Sequence, residues 1–452
     1  MNIKQLRQTI LDRAIRGQLV SQDPTDEPAS ILLERIRAEK EELIKEKKLK
    51  REKRDSQPIK EVPFEIPEGW VWCRLGDISL INPKNNLNDE LDVSFIPMTL
   101  ISEGFSNVHT SEVKKWKNIK ERYTHFCNED IGIAKITPCF ENRKSVIFNN
   151  LKNGVGAGTT ELYILRNNKT ISFNKYLFWV VKTQEFINKG IESFTGAVGQ
   201  QRVSKDFIEN TLIPLPPLAE QHRIVQKIEQ LFALVDIIEV NKKALEKLIE
   251  QAKSQVLSDA VAGKLTHQDP NDEPAEELLK RIGKTTAPDT PYEKMLPKGW
   301  ACTEMQVLCQ LLDGKKKEGV LYPYLDVVFL RGKTEGSYKE NGKYIPKNTH
   351  LILVDGENSG EIFTTTIEGY QGSTLKILNI SQEVNEQFIF YILRKEQKLF
   401  KESKTGSAIP HLNKKIFKEL IIFLPPLAEQ CRIVKKIETY FAAFDKIKNK
   451  LI

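Results

Sequence analysis

The sequence predicts an α+β fold: two mixed α/β domains joined by two long antiparallel helices, with a pseudo-two-fold symmetry that the chain carries as a circular repeat. Three observations predict it. Residues 215–236 (LPPLAEQHRIVQKIEQLFALVD) recur at 424–445 (LPPLAEQCRIVKKIETYFAAFD), identical at 16 of 22 positions with an offset of 209. Residues 17–36 (GQLVSQDPTDEPASILLERI) recur at 263–282 (GKLTHQDPNDEPAEELLKRI), identical at 13 of 20 with an offset of 246. Under these offsets Ile452 maps onto position 243 and Met1 onto position 247, so the two chain ends, laid end to end, rebuild the unbroken central segment with three residues missing.

Residues 1–61 form the first helical region. Ile3, Leu6 and Ile10 continue the apolar stripe of the chain's other end, where Ile437, Tyr440, Phe444, Ile447 and Leu451 keep the same spacing. The run at 34–54 (ERIRAEKEELIKEKKLKREKR) carries ten basic and six acidic side chains, the pattern of a solvated helix or linker face, with a phosphate-contacting arm as the alternative. Prolines and a glycine in SQPIKEVPFEIPEGW end that region at Trp70, and TTAPDTPYEKMLPKGW does the same at Trp300, so both globular segments begin with Pro-x-Gly-Trp.

In residues 62–213 short strands are expected at DVSFIPM, IGIAKI, KSVIF and ELYILR, with a helix near 174–188. The central region 214–291 holds one long helix. From Ile224 to Val261 there is no Gly or Pro, and Ile228, Leu231, Val235, Ile238, Leu245, Ile249, Ala252 and Val256 recur at spacings of three and four, interrupted only by Lys242. Residues 292–423 repeat the mixed pattern, with strands expected at YLDVVFL, HLILV, EIFTTTI and TLKILNI and a helix near 385–400. Residues 424–452 return to the helical framework and are expected to pair with the N-terminal region. The central helix leads from the first domain to the second, and the split helix leads from the second back to the first. Two such helices lying side by side must be antiparallel, and about 45 residues at 1.5 Å each span on the order of 65 Å. An ordinary core helix pair would need no circular duplication, so the pair reads as a spacer.

Composition adds limits. A hydrophobic content of 40% and a charged content of 29% describe a water-soluble globular protein of two or three domains. No apolar run approaches the roughly 18 residues of a membrane span, and the N-terminus lacks the apolar stretch of a signal peptide. Six cysteines without a CxxC pair fit a reduced protein without a zinc site, so a cytoplasmic location is expected. The net charge of +7 leans towards an acidic partner such as nucleic acid.

Catalytic motifs are missing. Gly283, Lys284 and Thr285 resemble the tail of a phosphate-binding loop, but Leu279 stands four residues upstream and no strand precedes it. Asn82-Pro83 is followed by Lys84 rather than by the proline and aromatic that cradle a flipped adenine. No dinucleotide-binding glycine pattern follows a strand, and the six histidines are isolated.

The repeated LPPLAEQ-x-RIV-x-KIE segments, the QDP-x-DEPA repeats, ITPCFENRK at 136–144, TGAVGQQRVSKDFIENTLIPLPPLAEQ at 195–221 and TGSAIPHLNKKIF at 405–417 resemble the DNA-specificity subunit of type I restriction-modification enzymes, over essentially the whole chain. The resemblance implies a non-catalytic subunit whose two target-recognition domains each read one half of a bipartite double-stranded DNA site. It implies two copies of a modification (methyltransferase) subunit as partners, together with restriction (motor-nuclease) subunits. No cofactor is expected on this chain; S-adenosylmethionine, ATP and Mg are expected on the partners. Because the two domains differ in sequence, the target should be asymmetric, with unread base pairs between its halves.

Candidate base readers in the first domain are Thr137, Glu141, Asn142, Arg143 and Lys144, in a proline-bearing loop after a strand, and Gln200, Gln201 and Arg202 after Gly199. In the second they are Glu357, Asn358 and Ser359 after Gly356, and Ser407, His411, Asn413 and Lys414 after Gly406. These side chains offer the donors and acceptors that base edges require. Packing or capping is the competing role, especially for Thr137, Pro138 and the GQQR run, and the cations would serve phosphates equally well. Asp26 and Glu27, with their counterparts Asp272 and Glu273, suit the start of a helix. An acidic turn present once per half is also a natural docking place for two copies of one partner. A free-standing DNA-binding regulator and a pure coiled-coil scaffold are the alternatives; no methyltransferase would co-purify with the first, and the second would bind every duplex alike.

Overall fold

The computed structural model describes residues 2–45, 59, 61–167, 174–197, 199–283, 296–406 and 410–450. The chain divides into two compact units, Met1–Asn241 and Lys242–Ile452, with the division falling inside one unbroken helix, Leu218–Val261. Parts of the charged run (46–54), of the segment before Trp70, the stretch 284–295 with Lys284 and Thr285, Val198, and the seam position Leu451 lie outside the described residues.

In the first unit, helix Ile3–Ile15 starts at Asn2, whose side chain accepts a hydrogen bond from Gln5 N at 3.2 Å. It runs antiparallel to the first half of the long helix. Arg7 meets Asp236 and Glu239, whereas Gln22 and Asp26, further along the chain, meet Glu220 and Arg223. Ile10, Leu11, Ala14 and Ile15 are buried in the same core as Ile224, Ile228, Phe178 and Ile133, so helices and sheet share one interior. Strands Val71–Arg74 and Leu212–Leu215 pair antiparallel where the domain leaves and rejoins the helical framework.

Two sheets build the domain. The inner one is antiparallel, in the order Leu80–Ile81, Leu162–Arg166, Ile131–Ala134, Ser145–Ile147. The outer one runs Glu112–Lys115, Asp92–Ile96, Val155–Gly158, Thr124–Cys127, with the middle pair parallel. The helix expected near 174–188 is two helices, Asn174–Val180 and Gln184–Glu192. Thr183 separates them by capping the second, accepting from Phe186 N at 3.3 Å.

The second unit repeats this plan. Helix Leu427–Lys450 runs antiparallel to the second half of the long helix: Asp445 pairs with Lys253 at 2.7 Å, while Glu429 and Arg432 meet Gln268 and Asp272. Strands Ala301–Glu304 and Ile421–Leu424 pair as their counterparts do. The inner sheet is antiparallel, in the order Cys309–Leu312, Leu375–Ile380, His350–Leu353, Ile362–Thr364. The outer sheet runs Tyr338–Lys339, Tyr322–Leu325, Gly369–Gln371, Gly342–Ile345, again with one parallel pair, and adds a fifth strand, Lys315–Lys317. The strand expected at YLDVVFL stops at Leu325. Asp326 accepts from Phe329 N at 2.9 Å and turns Val327–Leu330 into a helical turn, a capping effect stronger than the β preference of two valines.

The apolar seam of the long helix is buried towards its ends, at Ile228, Val235 and Ile249, whereas Ile238 is 40% exposed. Leu234, Ile237, Val240 and Leu248 are more than half exposed on the same helix.

Candidate DNA-reading loops and the repeated elbow

Each inner sheet sends its third strand into a loop that a second, distant segment meets. In the first unit, strand Ile131–Ala134 continues to Ile136, which bridges Arg202, and Thr137 N donates to Gln201 O at 3.0 Å. Val203 N closes the other side on Lys135 O at 2.8 Å. The two groups of residues proposed from sequence, 137–144 and 200–202, therefore come together although about 60 residues separate them.

Their side chains do not all face solvent. Arg143 is only 4% exposed; its Nε donates to Lys182 O at 3.1 Å, its Nη2 to Gln184 Oε1, and burial lowers its pKa. Thr137 is half-buried, with an Oγ1 that has no protein partner among the described residues. Arg202 holds Glu161 through two 2.9 Å bonds, which push the Glu161 carboxyl below its usual range. Lys144 Nζ reaches Met98 O at 3.3 Å. Glu141, Asn142 and Gln200 are exposed, Gln201 is half-buried, and Asn142 Nδ2 contacts Glu103 Oε2 at 3.3 Å. The exposed members are amides and a carboxylate, the chemistry that adenine and cytosine edges accept.

The second unit repeats the arrangement with different side chains. Beyond strand His350–Leu353, Asp355 bridges His411, Gly356 N donates to Pro410 O at 2.8 Å, and Leu412 N donates to Val354 O at 2.8 Å. His411 Nδ1 lies 2.7 Å from Asp355 Oδ1, and both residues sit at the surface. Glu357 and Asn358 are exposed, and Lys404 Nζ holds the Glu357 carbonyl at 2.6 Å. Ser359 is fully buried. Asn413 caps helix Lys414–Glu419, accepting from Lys415 N and Ile416 N at 3.1 and 3.2 Å, while Lys414 is exposed. Ser407 lies outside the described residues. Arg143, Ser359 and Asn413 thus hold internal positions, the packing and capping roles that sequence set beside base reading.

Sequence reasoning missed Lys182. It is fully buried, and its Nζ donates to the carbonyls of Gly104, Arg143 and Ser106 at 2.8, 2.8 and 3.1 Å. The lysine ties loop 102–107 to loop 138–144. One lysine ending the apolar run YLFWVV was the available signal.

The repeated motifs meet in an elbow built once per unit. Glu220 is buried; Trp70 Nε1 donates to its Oε2 at 2.9 Å and Gln22 Nε2 to its Oε1 at 3.0 Å. Glu429 receives Trp300 Nε1 at 2.9 Å and Gln268 Nε2 at 3.1 Å in the same way. Burial raises the pKa of Glu220, against the lowering effect of its two donors. Asp26 takes two bonds from Arg223, and Asp272 two from Arg432. Neither aspartate heads a helix: Pro28 and Pro274 precede the helices Ala29–Lys45 and Ala275–Arg281, and each aspartate locks the turn to the helix of the LPPLAEQ motif. Glu27 pairs with Arg35, and Glu273 with Arg281 at 2.7 and 2.9 Å, all at the surface. Beside the second elbow lies a cleft of about 290 Å³ lined by Gln268, Asp269, Pro274, Trp300 and Pro426.

Among the described residues no group of three or more His, Cys, Asp or Glu is placed to hold a metal ion, and no helix is long and apolar enough to cross a membrane. The chain is 35% identical to the type I restriction enzyme EcoAI specificity subunit of Escherichia coli, covering 99% of this chain and 90% of that one. It is 34% identical to the EcoEI specificity subunit of the same species, with 99% and 91% covered. Its fold matches the HsdS subunit from Thermoanaerobacter tengcongensis with a TM-score of 0.56 at 20% identity, covering 87% and 96% of the two chains. A chain from a structure of complex assembly and conformational transition of the type I R-M system matches with a TM-score of 0.66 at 19% identity, covering 86% and 94%. Residues 67–247 and 309–452 match the family described as the type I restriction modification DNA specificity domain, and the chain belongs to that family.

Proposed function

We propose that this chain is the DNA-specificity subunit of a type I restriction-modification complex. It reads a bipartite, asymmetric target with two target-recognition domains, 62–213 and 292–423, and carries no catalytic site of its own. The observation that carries this reading is the doubled loop cluster. One backbone arrangement, a strand-end loop closed by a distant segment, displays Glu141, Asn142 and Gln200 in one unit and Glu357, Asn358 and Lys414 in the other. A shared scaffold with unlike surface groups is what unlike half-sites require.

The regions 1–61, 214–291 and 424–452 serve as framework and partner-docking surface. Duplicate elbows, in which Asp26 or Asp272 locks the turn from within and Glu27 or Glu273 stands at the surface, offer two copies of a modification subunit equivalent seats. In the first unit the exposed Leu234, Ile237 and Val240 add apolar surface of the kind that marks partner contact. Restriction subunits complete the assembly. S-adenosylmethionine, ATP and Mg belong to the partners, and the cell compartment is the cytoplasm, where chromosomal DNA is met.

Mapping methylated adenines genome-wide in cells with and without the gene for this chain tests the reading. The expected result is one interrupted, asymmetric motif that loses its methylation with the chain. An unchanged methylation pattern would refute it.

A further inference from the structure

The outer sheets of the two units share a strand order but present different surfaces. In the first unit Val93, Phe95 and Ala157 of the outer sheet are buried with Trp116 and Ile119 in a small apolar core. In the second unit the matching positions carry tyrosines. Tyr344 pairs with Tyr370 and Tyr370 with Tyr324, so the three rings share one face, with Tyr324 and Tyr344 half-buried and the central Tyr370 buried, its hydroxyl donating to Val320 O and Glu340 O at 2.8 and 3.0 Å; Leu325 and Ile345 on the other face enter the domain core.

The fifth strand, Lys315–Lys317, has no counterpart among the described residues of the first unit. It places Lys315 opposite Tyr344 and Lys317 opposite Gly342, which puts both lysines on the tyrosine face. At the far edge Tyr322 pairs with Lys339. Gly342 is required here, because a Cβ would come within 2.7 Å of the Tyr370 ring. Lys317 Nζ lies 4.3 Å from the Tyr344 ring centre and 4.5 Å from that of Tyr322, whose hydroxyl it meets at 2.8 Å. Lys339 Nζ lies 3.3 Å above Tyr324. The rings hold the ammonium groups in place, so little side-chain freedom remains to be lost when a ligand arrives.

Charge pairing separates the two units further. In the first, Lys115, Lys117 and Lys120 are matched by Asp92, Glu90 and Asp89 at 2.8 to 3.0 Å. In the second, no carboxylate among the described residues lies within ion-pair distance of Lys315, Lys317 or Lys339. Asp313 is held by Lys343 and Lys376; Glu368 accepts the Tyr344 hydroxyl and acts on Lys317 only from beyond ion-pair distance, and Glu318 and Glu340 sit at the strand ends. Four strand spacings separate the two basic edges, roughly 19 Å. Duplex DNA carries one charge per about 1.7 Å of its axis, so several phosphates fall within that width.

We propose that this face is a phosphate-backbone contact surface for duplex DNA, in which Lys315, Lys317 and Lys339 neutralise phosphates without selecting sequence. The inference rests on the chain being a DNA-specificity subunit and assigns it a contact outside the two loop clusters. The competing role for lysines on an edge strand is to prevent pairing with another chain. That role leaves the salt dependence of DNA binding untouched.

The test uses the purified full-length chain and a labelled duplex of arbitrary sequence, with affinity measured from about 50 to 200 mM salt. Replacing Lys315, Lys317 and Lys339 together by Gln is expected to reduce the log-log salt slope by about 2 to 3, at about 0.9 per lost phosphate contact. Replacing the same three by Arg should retain the slope, and circular dichroism should show both variants folded at the assay temperature. A Gln variant with the wild-type slope overturns the proposal while leaving the specificity-subunit reading intact, and so does an Arg variant that falls as far as the Gln variant. A wild-type chain that binds no duplex even at the lowest salt overturns this surface, whereas the specificity reading stands or falls separately with the methylation map.

Discussion

At the residue scale, Lys182 shows how a buried charge organises a surface. Its Nζ meets three carbonyls from two loops, and the neighbouring Gln184 accepts from Arg143 and, through its backbone N–H, donates to Gln8 of the N-terminal helix at 2.9 Å. The exposed Asn142 stands one residue from Arg143, so loop and helix are tied together. Burial, with the Arg143 guanidinium adding to it, pushes Lys182 down to about 7. Replacing Lys182 with Met leaves the carbonyls unpaired, and we expect a loss of about 1–3 kcal/mol in urea unfolding at pH 7. Between pH 7 and the ordinary lysine range near 10.5 the unfolded chain holds a proton that the folded chain releases, so folding gains stability as pH rises. The gap between wild type and Lys182→Met should therefore widen from pH 7 to pH 9; a constant gap would mean that Lys182 does not titrate in that window. The sequence marked this position only as a cation after an apolar run. Nothing local reveals that its partners are carbonyls 39 to 78 residues away.

At the scale of elements, what the sequence made legible was whatever local spacing controls. The long helix was readable because no Gly or Pro interrupts it and its apolar residues keep helical spacing, and the inner strands 131–134 and 350–353 because they are short apolar runs between turns. Pairing between the loop at 137 and the segment at 201 was not readable, since it depends on contacts distant in sequence. The elbow falls between these cases: Glu220 and Glu429 were visible as repeated letters, but their burial beneath Trp70 and Trp300 was not. Gly17 and Gly263, also repeated, adopt φ of +68° and +67°, and a Cβ would approach the Pro67 and Pro297 rings within 2.2 and 2.5 Å. Gly17→Ala and Gly263→Ala should each destabilise by at least about 1 kcal/mol, through the left-handed backbone and the clash together. Thermal melts of the two single variants would check this, with near-equal losses expected from a motif built twice; an unaffected melt for either would show that its elbow can relax.

At the scale of the whole molecule, helix Leu218–Val261 continues without a break across the division between the units, which makes a length-to-spacer relation testable. In the first unit Arg7 ties the N-terminal helix to Asp236 and Glu239, and in the second Lys253 is tied to Asp445. Inserting four alanines after Asn241 falls between these ties and outside both loop clusters. One added turn lengthens the helix by about 5.4 Å, and DNA rises about 3.4 Å per base pair. If the helix sets the separation of the half-sites, the methylated motif should keep both half-sequences and gain one or two base pairs in its unread spacer. Four residues also rotate one half of the helix by about 40° relative to the other. A seven-residue insertion, close to two whole turns, rotates it far less and should lengthen the spacer by about three base pairs with higher activity than the four-residue variant. Methylation mapping reads both outcomes directly. An active variant with an unchanged spacer would show that something other than this helix measures the target, and altered half-sequences would place base reading outside the two loop clusters.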